Sequence, residues 1–326
     1  MRLAVRCSSS RTAFAPLAVL LGFAGCASHA APPGAQPAPM AGFVPGPVPA
    51  GYTRFLTPVI DDIGPGEDQT WCQWLTGPLA TAEDILGVSG AQSKQGHHVV
   101  LYATTDSEPV GTTRTCTTAD MLSLRFLGFV GGEGGSTSSG TMPPGVAFRV
   151  PAGTSLMANV HFINTQATAI QGQAAIDVER AAPSPSHTMA SFFANTTLKL
   201  AIEPRQEATF DVTCAVQQDL PFVMAANHMH ASGVSAYTEV IHPDGTRQDL
   251  ARDASWTPDA QYNPAWSRWP VGGPFVVHAG ETIHTQCTWD NPGDTQLVFP
   301  DEMCAGLGFF LGESAQIQCV DGAWAE

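Results

Sequence analysis

The chain has 326 residues and a formal net charge of −15, and only 13% of its residues are charged. A surface this acidic argues against nucleic acid and against anionic lipid as binding partners. The length suits two domains of common size. Glycine (32 residues) and proline (26 residues) are abundant, and no long stretch has a helical hydrophobic period, so the composition predicts many short strands joined by turns.

The first 25 residues (1–25) are predicted to be a signal peptide. Three arginines precede an apolar segment, residues 13–25, that is too short to span a bilayer. The segment ends in Phe-Ala-Gly-Cys, which resembles a bacterial lipobox, so Cys26 is expected to carry a lipid after cleavage. An ordinary signal peptide cut within residues 26–30 is the alternative. Residues 26–50, rich in Pro, Ala and Gly, are predicted to be the anchor and a tether.

Two folded segments are predicted, at residues 51–180 and 188–326. They are separated by a linker at 179–188, Glu-Arg-Ala-Ala-Pro-Ser-Pro-Ser-His-Thr. The Gly/Ser-rich stretch 131–140 is predicted to be a surface loop, and it lacks the Lys-Ser/Thr of a phosphate-binding loop. Short strands and frequent turns in both segments predict an all-β protein of two tandem β-sandwiches.

Six cysteines remain once Cys7 in the signal peptide and Cys26 are set aside. They are Cys72, Cys116, Cys214, Cys287, Cys304 and Cys319. An even number in an exported chain predicts disulfides, and the spacing alone leaves their pairing open. No Cys-x-x-Cys motif is present, which argues against a zinc ribbon or a thioredoxin-type site.

The stretch 221–233, Pro-Phe-Val-Met-Ala-Ala-Asn-His-Met-His-Ala-Ser-Gly, is predicted to be a strand. In a strand, His228 and His230 project to one face and Met229 to the other. The two imidazoles either form a metal chelate or are two polar residues on a wet face. This stretch alone slightly favours the wet face.

Three more histidines lie in predicted strands of the first segment. His97 and His98 are adjacent, so both can serve one site only at a bulge or a twisted strand end. His161 is expected to lie on the strand face opposite Val160 and Phe162. A lone histidine in such a place is more often a hydrogen-bonded, half-buried residue than a ligand.

Met303 adds a sulfur donor in Asp-Glu-Met-Cys, although a methionine is by default a core filler. Two histidines and a thioether form a ligand set suited to copper, especially Cu(I). Three imidazoles could hold zinc or copper equally well. The remaining histidines are interpreted as structural: His29, His187, His242, His278 and His284.

With His-His, Asn-Val-His-Phe, His-Met-His and Asp-Glu-Met-Cys in this order, the chain resembles the copper type II, ascorbate-dependent monooxygenases. That family includes dopamine β-monooxygenase and peptidylglycine α-hydroxylating monooxygenase. The resemblance spans about residues 51–326. It implies two jelly-roll-type β-sandwiches that face each other across a wet cleft, with one copper in each. It also implies ascorbate or a similar reductant, O2 and a small organic substrate as reaction partners.

The resemblance assigns a role to each of six ligand positions. The electron-transfer copper would be held by His97, His98 and His161. The catalytic copper, where oxygen binds, would be held by His228, His230 and Met303. Three disulfides are implied as well: Cys72–Cys116, Cys214–Cys319 and Cys287–Cys304. Asn159 and Asn227 lie close to ligands in sequence and are candidates to hydrogen-bond the imidazoles.

Four positions depart from the pattern of the family. Ala226 stands where the peptide-hydroxylating branch has an arginine that holds the substrate carboxylate. Ala305 and Leu307 stand where that branch has Asn and Tyr, and Asn159 replaces a glutamine. Without the anion clamp, amidation of peptides is disfavoured, and a neutral or cationic substrate fits the acidic chain better.

Three hypotheses about function follow. The leading one is hydroxylation of a C–H bond by a copper- and ascorbate-dependent monooxygenase. The second is a non-catalytic lipoprotein that binds or sequesters copper with the same ligands. The third is a surface or adhesion β-sandwich whose histidines are incidental or bind zinc. In each case the chain is expected to be exported. It would face the periplasm or the cell surface, and Ala27 favours an outer-membrane anchor.

Overall fold

The computed structural model describes most of the chain beyond the tether. The described residues are 37–106, 108–117, 120, 124–132, 142–261, 264–313 and 316–325. The predicted signal peptide, Cys26, the first part of the tether and most of the Gly/Ser-rich stretch 131–140 lie outside them. No helix in the described residues is long and apolar enough to cross a membrane.

Eleven strands form in the described part of the first half of the chain. They are β1 (Tyr52–Leu56), β2 (Ile60–Ile63), β3 (Asp68–Trp74), β4 (Glu83–Gln92), β5 (Gly96–Thr104), β6 (Thr113–Thr115), β7 (Arg125–Gly131), β8 (Val146–Val150), β9 (Ser155–Ile163), β10 (Ile170–Gly172) and β11 (Ala174–Ala181). Glycines at positive φ close several of the turns between them, as at Gly145 (φ 79°) before β8.

Thirteen strands and one 3₁₀ helix form in the described part of the second half. They are β12 (Thr188–Thr196), β13 (Ala201–Ile202), β14 (Gln206–Ala215), β15 (Leu220–His228), β16 (Gly233–Ile241), β17 (Arg247–Asp253), the 3₁₀ helix (Pro258–Gln261), β18 (Ser267–Arg268), β19 (Phe275–Val277), β20 (Thr282–Asn291), β21 (Leu297–Val298), β22 (Ala305–Leu311), β23 (Ile317–Val320) and β24 (Ala323–Ala325). The all-β prediction is confirmed.

The sheets pack in pairs. In the first half, the antiparallel sheet β6-β3-β9-β5-β7 packs on β1-β11-β4-β8. In the second half, the antiparallel sheet β14-β20-β16-β17 packs on β12-β22-β15 and its flanking short strands. Strand β9 is buried along nearly its whole length, because one face points into the first sandwich and the other toward the second half. A strand buried on both faces lies between two packed layers, so β9 belongs to the first sandwich and is also covered from its outer side.

One sheet runs through both halves. Strand β12 pairs in parallel with β8, with Thr188 opposite Val146 and Met189 opposite Ala147, so that eleven strands form a single sheet. Apolar side chains from both halves also share one core cluster. In it, Phe126 of β7 stacks on Phe192 of β12, with ring centroids 4.3 Å apart and planes at 19°. Burying an aromatic side chain of this size stabilises the fold by about 2–3 kcal/mol. The division into domains at 51–180 and 188–326 remains a prediction.

The predicted linker is shorter than expected and is held in place. Strand β11 runs to Ala181 and β12 begins at Thr188, which leaves residues 182–187 between them. Within these six residues, the Ser184 N–H and His187 Nδ1 both bond the carboxylate of Asp84, at 3.1 Å and 2.8 Å. A sequence rich in Pro and Ser predicts a loop, but it does not reveal a buried carboxylate that fixes the loop.

Three disulfides form within the described residues. They join Cys72 to Cys116, Cys214 to Cys319, and Cys287 to Cys304. These are the pairs that the resemblance implies. Three disulfides in one chain indicate an oxidising compartment and hence an exported protein. The pair Cys287–Cys304 ties the segment that carries Met303 to strand β20.

Candidate metal centre

Strands β5 and β9 bring three histidines together. His98 and His161 lie opposite each other in the antiparallel pair, and the register of β5 shifts between Gly96 and His98. The irregularity lets His97 and His98 point to the same site, as the sequence requires of a strand end. Each of the three imidazoles offers a ring nitrogen, and these nitrogens all lie within 4.8 Å of one another.

The ring nitrogens of this triad are placed for a shared ligand. The Nδ1 atoms of His97 and His98 are 2.9 Å apart. The Nδ1 of His161 is buried and has no hydrogen-bond partner among the described residues. A buried polar atom without a partner is costly, and a metal ion would satisfy it. Three converging imidazoles suit copper or zinc, so the donor set fits a late transition metal.

Two neighbours hold the outer nitrogens of the triad. His161 Nε2 lies 2.6 Å from Oδ1 of Asp68, whose side chain is 60% exposed. His97 Nε2 lies 3.1 Å from Oε1 of Gln261, at the end of the 3₁₀ helix of the second half. A carboxylate or amide oxygen on the outer nitrogen fixes the orientation and tautomer of a ligand imidazole.

The environment keeps His97 and His98 uncharged. Burial, together with the nearby imidazoles of His161 and His230, lowers the pKa of His97 to about 3. Burial and the same neighbours lower the pKa of His98 well below its ordinary value. A neutral imidazole has the free lone pair that metal binding needs.

The second predicted group lies at the end of β15. The strand ends at His228, so His230 lies in the turn that follows it and not in a strand, which corrects the expected strand over 221–233. The two rings still lie together, with centroids 5.3 Å apart. His228 pairs with Ala305 of β22, which brings the segment just before β22, with Met303, to the same end of the sheet. Both histidines and Met303 line one cavity.

Glu302 joins these two segments. Its side chain is buried, and its carboxylate accepts the backbone N–H groups of His230 (2.9 Å), Ser232 (2.8 Å) and Met303 (3.2 Å) and the indole N–H of Trp289 (2.9 Å). Four donors on one carboxylate offset the cost of burying its charge. Glu302 therefore fixes the backbone on which His230 and Met303 are carried.

The imidazoles of this second group are also neutral. Burial, followed by the charges of His230 and His97, lowers the pKa of His228 to about 3, and burial lowers that of His230. The Nδ1–H of His230 donates to the backbone carbonyl of Asp301 at 2.9 Å. That bond leaves Nε2 of His230 as the nitrogen with a free lone pair.

The two groups share one cavity of about 490 Å³. The ring centroids of His97 and His230 are only 6.1 Å apart, so the groups are close neighbours across a narrow gap. Away from the histidines, the cavity is lined by apolar side chains of both halves, including Val100, Phe129 and Leu307.

The two asparagines considered as candidate neighbours of the imidazoles have other partners. Asn159 donates to the sulfur of Cys116 and Asn227 donates to Asp253, so neither amide serves as the outer partner of an imidazole. Asp68, Gln261 and Glu302, which hold the candidate ligands, were missed. An exposed Asp, a Gln in a loop and a Glu beside a Met carry no signal in the sequence for such a role. Four of the histidines interpreted as structural bond to carboxylates: His187, His242, His278 and His284. His29 lies outside the described residues. His284, for example, lies between Asp211 and Glu239.

Comparison with protein-family models and with curated proteins gives no match. Among solved structures, the chain is similar to PBCV-1 VP54 fitted into a cryo-EM reconstruction of the virophage Sputnik. The identity is 10% and the TM-score 0.27, over 80% of this chain and 93% of that one. It is also similar to the major capsid protein P2 from bacteriophage PM2. There the identity is 12% and the TM-score 0.29, over 80% and 98% of the two chains. Similarities of this size carry no argument about function.

Proposed function

We propose that the protein is a copper-dependent monooxygenase that hydroxylates a C–H bond of a small organic substrate with O2 and a reductant such as ascorbate. One observation carries the proposal. Three imidazoles with nitrogens within 4.8 Å share a cavity with two further imidazoles and a thioether. This is the donor set, in the order along the chain, that the resemblance to the copper type II monooxygenases assigns to two coppers.

The six candidate ligands form two groups, and each group would hold one copper ion. His97, His98 and His161 would hold the electron-transfer copper. His228, His230 and Met303 would hold the catalytic copper, and the soft sulfur of Met303 favours the reduced ion. When bound, the two copper ions would supply a site for O2 and the one-electron steps that the hydroxylation needs.

The side chains around the two groups keep the candidate ligands ready to bind a metal ion. Burial keeps four of the imidazoles neutral and their lone pairs available: those of His97, His98, His228 and His230. Asp68 and the carbonyl of Asp301 hold the outer nitrogens, so the rings of His161 and His230 keep a fixed orientation. The apolar part of the cavity would exclude water around the substrate and hold its C–H bond toward the histidines.

The experiment that tests this proposal counts copper and then follows oxygen. Protein purified without a histidine tag should bind two copper ions per chain, and it should consume O2 when ascorbate and a substrate are both present. Two coppers without O2 uptake under any reductant would favour the alternative, a copper-binding lipoprotein without catalysis. Zinc alone, or no metal, would favour a β-sandwich with an adhesive or structural role.

The place of the protein in the cell forms part of the proposal. The three disulfides support export, and the lipobox-like Phe-Ala-Gly-Cys supports a lipid on Cys26 with the folded part facing the periplasm or cell surface. Replacing Cys26 with Ala should move the protein from the outer-membrane fraction to the soluble fraction. An unchanged membrane fraction would contradict lipidation of Cys26.

A further inference from the structure

The shared cavity extends away from the histidines as an apolar chamber between the two halves. On β5, His98, Val100 and Tyr102 alternate with core residues and therefore point to the same side. On β12, Phe192 and Ala194 line the opposite side by the same alternation. The candidate metal ligand His98 thus lies at one end of a wall whose other end is Tyr102.

Aromatic rings close the chamber at the end remote from the histidines. Phe126 stacks on Phe192, and Tyr102 packs edge-on against Phe126 with ring centroids 6.1 Å apart. The three rings come from both halves of the chain, so the closed end exists only when the halves are packed together. Stacked and edge-on rings form the kind of surface on which a flat apolar or aromatic ligand packs.

Charge is confined to the other end of the cavity. Among the described lining residues, none is a lysine or arginine. The acidic ones lie beside the candidate ligands: Asp68 bonds His161, and Asp301 and Glu302 bond His230. A carboxylate or an ammonium group placed at the aromatic end would lose its hydration without gaining an ion partner, so it would bind there more weakly than a neutral group of the same shape.

Tyr102 provides a polar group at the aromatic end. The residue is 8% exposed, and its hydroxyl makes no hydrogen bond to another described residue. Burial raises the pKa of this hydroxyl, so it is a neutral donor and acceptor. Because Tyr102 lines the cavity, its hydroxyl can hydrogen-bond a matching group that a ligand brings.

The length of the wall limits the size of the ligand. His98 and Tyr102 are four residues apart on one strand, so their Cα atoms are separated by roughly 13 Å. The side chains of His98 and Tyr102 occupy part of this distance. The space that remains between them accommodates a ligand with one aromatic ring and a short side arm. A cavity of about 490 Å³ is of the size that binds small molecules.

We infer that the chamber binds an uncharged, largely apolar molecule of about one aromatic ring. The molecule presents a hydroxyl or carbonyl to Tyr102 and a C–H bond to the histidines. The role of this ligand as a hydroxylation substrate rests on the proposed function, but its binding does not. The sequence favours either a neutral or a cationic substrate, and this inference restricts the substrate to neutral molecules.

Binding is tested with the full mature chain, carrying the metal with which it is purified, under argon and without reductant. Isothermal titration compares 4-ethylphenol with three relatives in which the hydroxyl is absent or is replaced by an anionic or a cationic group: ethylbenzene, 4-ethylbenzoate and 4-ethylbenzylamine. We expect 4-ethylphenol to bind at least roughly tenfold more tightly than the carboxylate and the amine, because either charge would be buried unpaired. It should also bind roughly two- to tenfold more tightly than ethylbenzene, because of one hydrogen bond.

Two variants locate the ligand. Tyr102→Phe should remove the advantage of 4-ethylphenol over ethylbenzene, whereas Tyr237→Phe, on strand β16 of the far sheet, should leave it unchanged. Leu307→Arg places a cation in the chamber wall and should make 4-ethylbenzoate the tightest of the four probes. If Leu307→Arg does not fold, the four-probe comparison and Tyr102→Phe still decide the question.

The inference is overturned if a charged relative binds as tightly as 4-ethylphenol, if no probe gives saturable binding, or if Tyr102→Phe and Tyr237→Phe have equal effects. Oxygen uptake is measured separately. Selective binding without uptake under any reductant would reject the proposed function and leave this inference standing. Oxygen uptake without the expected selectivity among the four probes would support the proposed function and overturn this inference.

Discussion

The carboxylate of Glu302 accepts the backbone N–H of His230, with Oε2 2.9 Å from the nitrogen. The same carboxylate accepts the backbone N–H of Met303. One buried side chain thus connects the turn that carries a candidate imidazole ligand to the segment that carries the candidate thioether. Their arrangement therefore depends on a residue whose carboxylate is engaged by four N–H groups.

Replacing Glu302 with Gln should disturb this arrangement while preserving the shape of the side chain. The amide would bring its own N–H groups toward backbone donors and lose the charge that four donors now share. We expect the free energy of unfolding to fall by about 3 kcal/mol. Copper affinity at the His228/His230/Met303 group should fall by at least roughly tenfold, as measured by competition with a Cu(I) chelator.

Asp301→Asn is the matched control for Glu302→Gln. The side chain of Asp301 is exposed, and His230 uses only its backbone carbonyl, so this variant should resemble the wild type. Wild-type copper affinity in folded Glu302→Gln protein would show that Glu302 has no positioning role.

Replacing Met303 with Ile should remove the sulfur donor with little change of volume. We expect the fold and the copper at His97, His98 and His161 to persist, and reductant-driven O2 uptake to be lost. X-ray absorption of the Cu(I) form should lose its sulfur scattering. Turnover equal to that of the wild type would reject the role given to Met303.

Replacing Asp68 with Asn tests the outer partner of the triad. The 2.6 Å contact between Asp68 and His161 Nε2 orients the ring. It also makes the other ring nitrogen a stronger metal ligand, because the carboxylate raises the basicity of the imidazole. We expect copper affinity at the triad to fall roughly tenfold, with little change in stability because Asp68 is largely exposed. Asp61→Asn, another exposed aspartate of the first half, serves as the control. Equal copper titrations for the two variants would contradict the prediction.

Asp84 predicts an acid dependence of stability. Burial alone would raise the pKa of its carboxyl, but hydrogen bonds from Arg149, His187 and the Ser184 N–H lower it from 3.8 to about 2. Because the folded-state pKa lies below the unfolded value, the stabilisation is fully present above about pH 4 and is lost as the pH falls through about 2. It should contribute about 1–2 kcal/mol at neutral pH, allowing for the partial exposure of Arg149.

Chemical denaturation of Asp84→Asn at several pH values measures this contribution. The variant should be less stable than the wild type at pH 7, and the difference should shrink steadily below pH 4. A difference that stays constant down to pH 2 would mean that ionisation of Asp84 does not stabilise the fold.

Much of the architecture follows from local patterns. Short alternating runs with Gly- and Pro-rich turns predict the all-β fold, because strand periodicity and turn chemistry are both local properties. The spacing of His97 and His98 also requires an irregular strand end, and the register of β5 shifts at that point. The pairing of the cysteines was accessible only through the family resemblance, since spacing alone leaves it open.

The supporting residues of the site could not be predicted in this way. Gln261 reaches His97 across 164 positions of the chain, and Asp68 reaches His161 across 93. Such contacts depend on how sheets pack, and no periodic pattern encodes that packing. The end of β15 at His228 is another example, because the bonds of Glu302 to the following turn compete with continuation of the strand.

The parallel ladder between β8 and β12 has a mechanical consequence. If the two halves rotated apart, the backbone hydrogen bonds between β8 and β12 would break in the middle of an eleven-stranded sheet. The same rotation would separate the stacked rings of Phe126 and Phe192. The separation between the two groups of histidines is thus built into the main chain and does not result from a free hinge. Molecules that enter or leave the gap must therefore pass between the side chains and loops at its rim, because movements there leave the hydrogen bonds of the sheet intact.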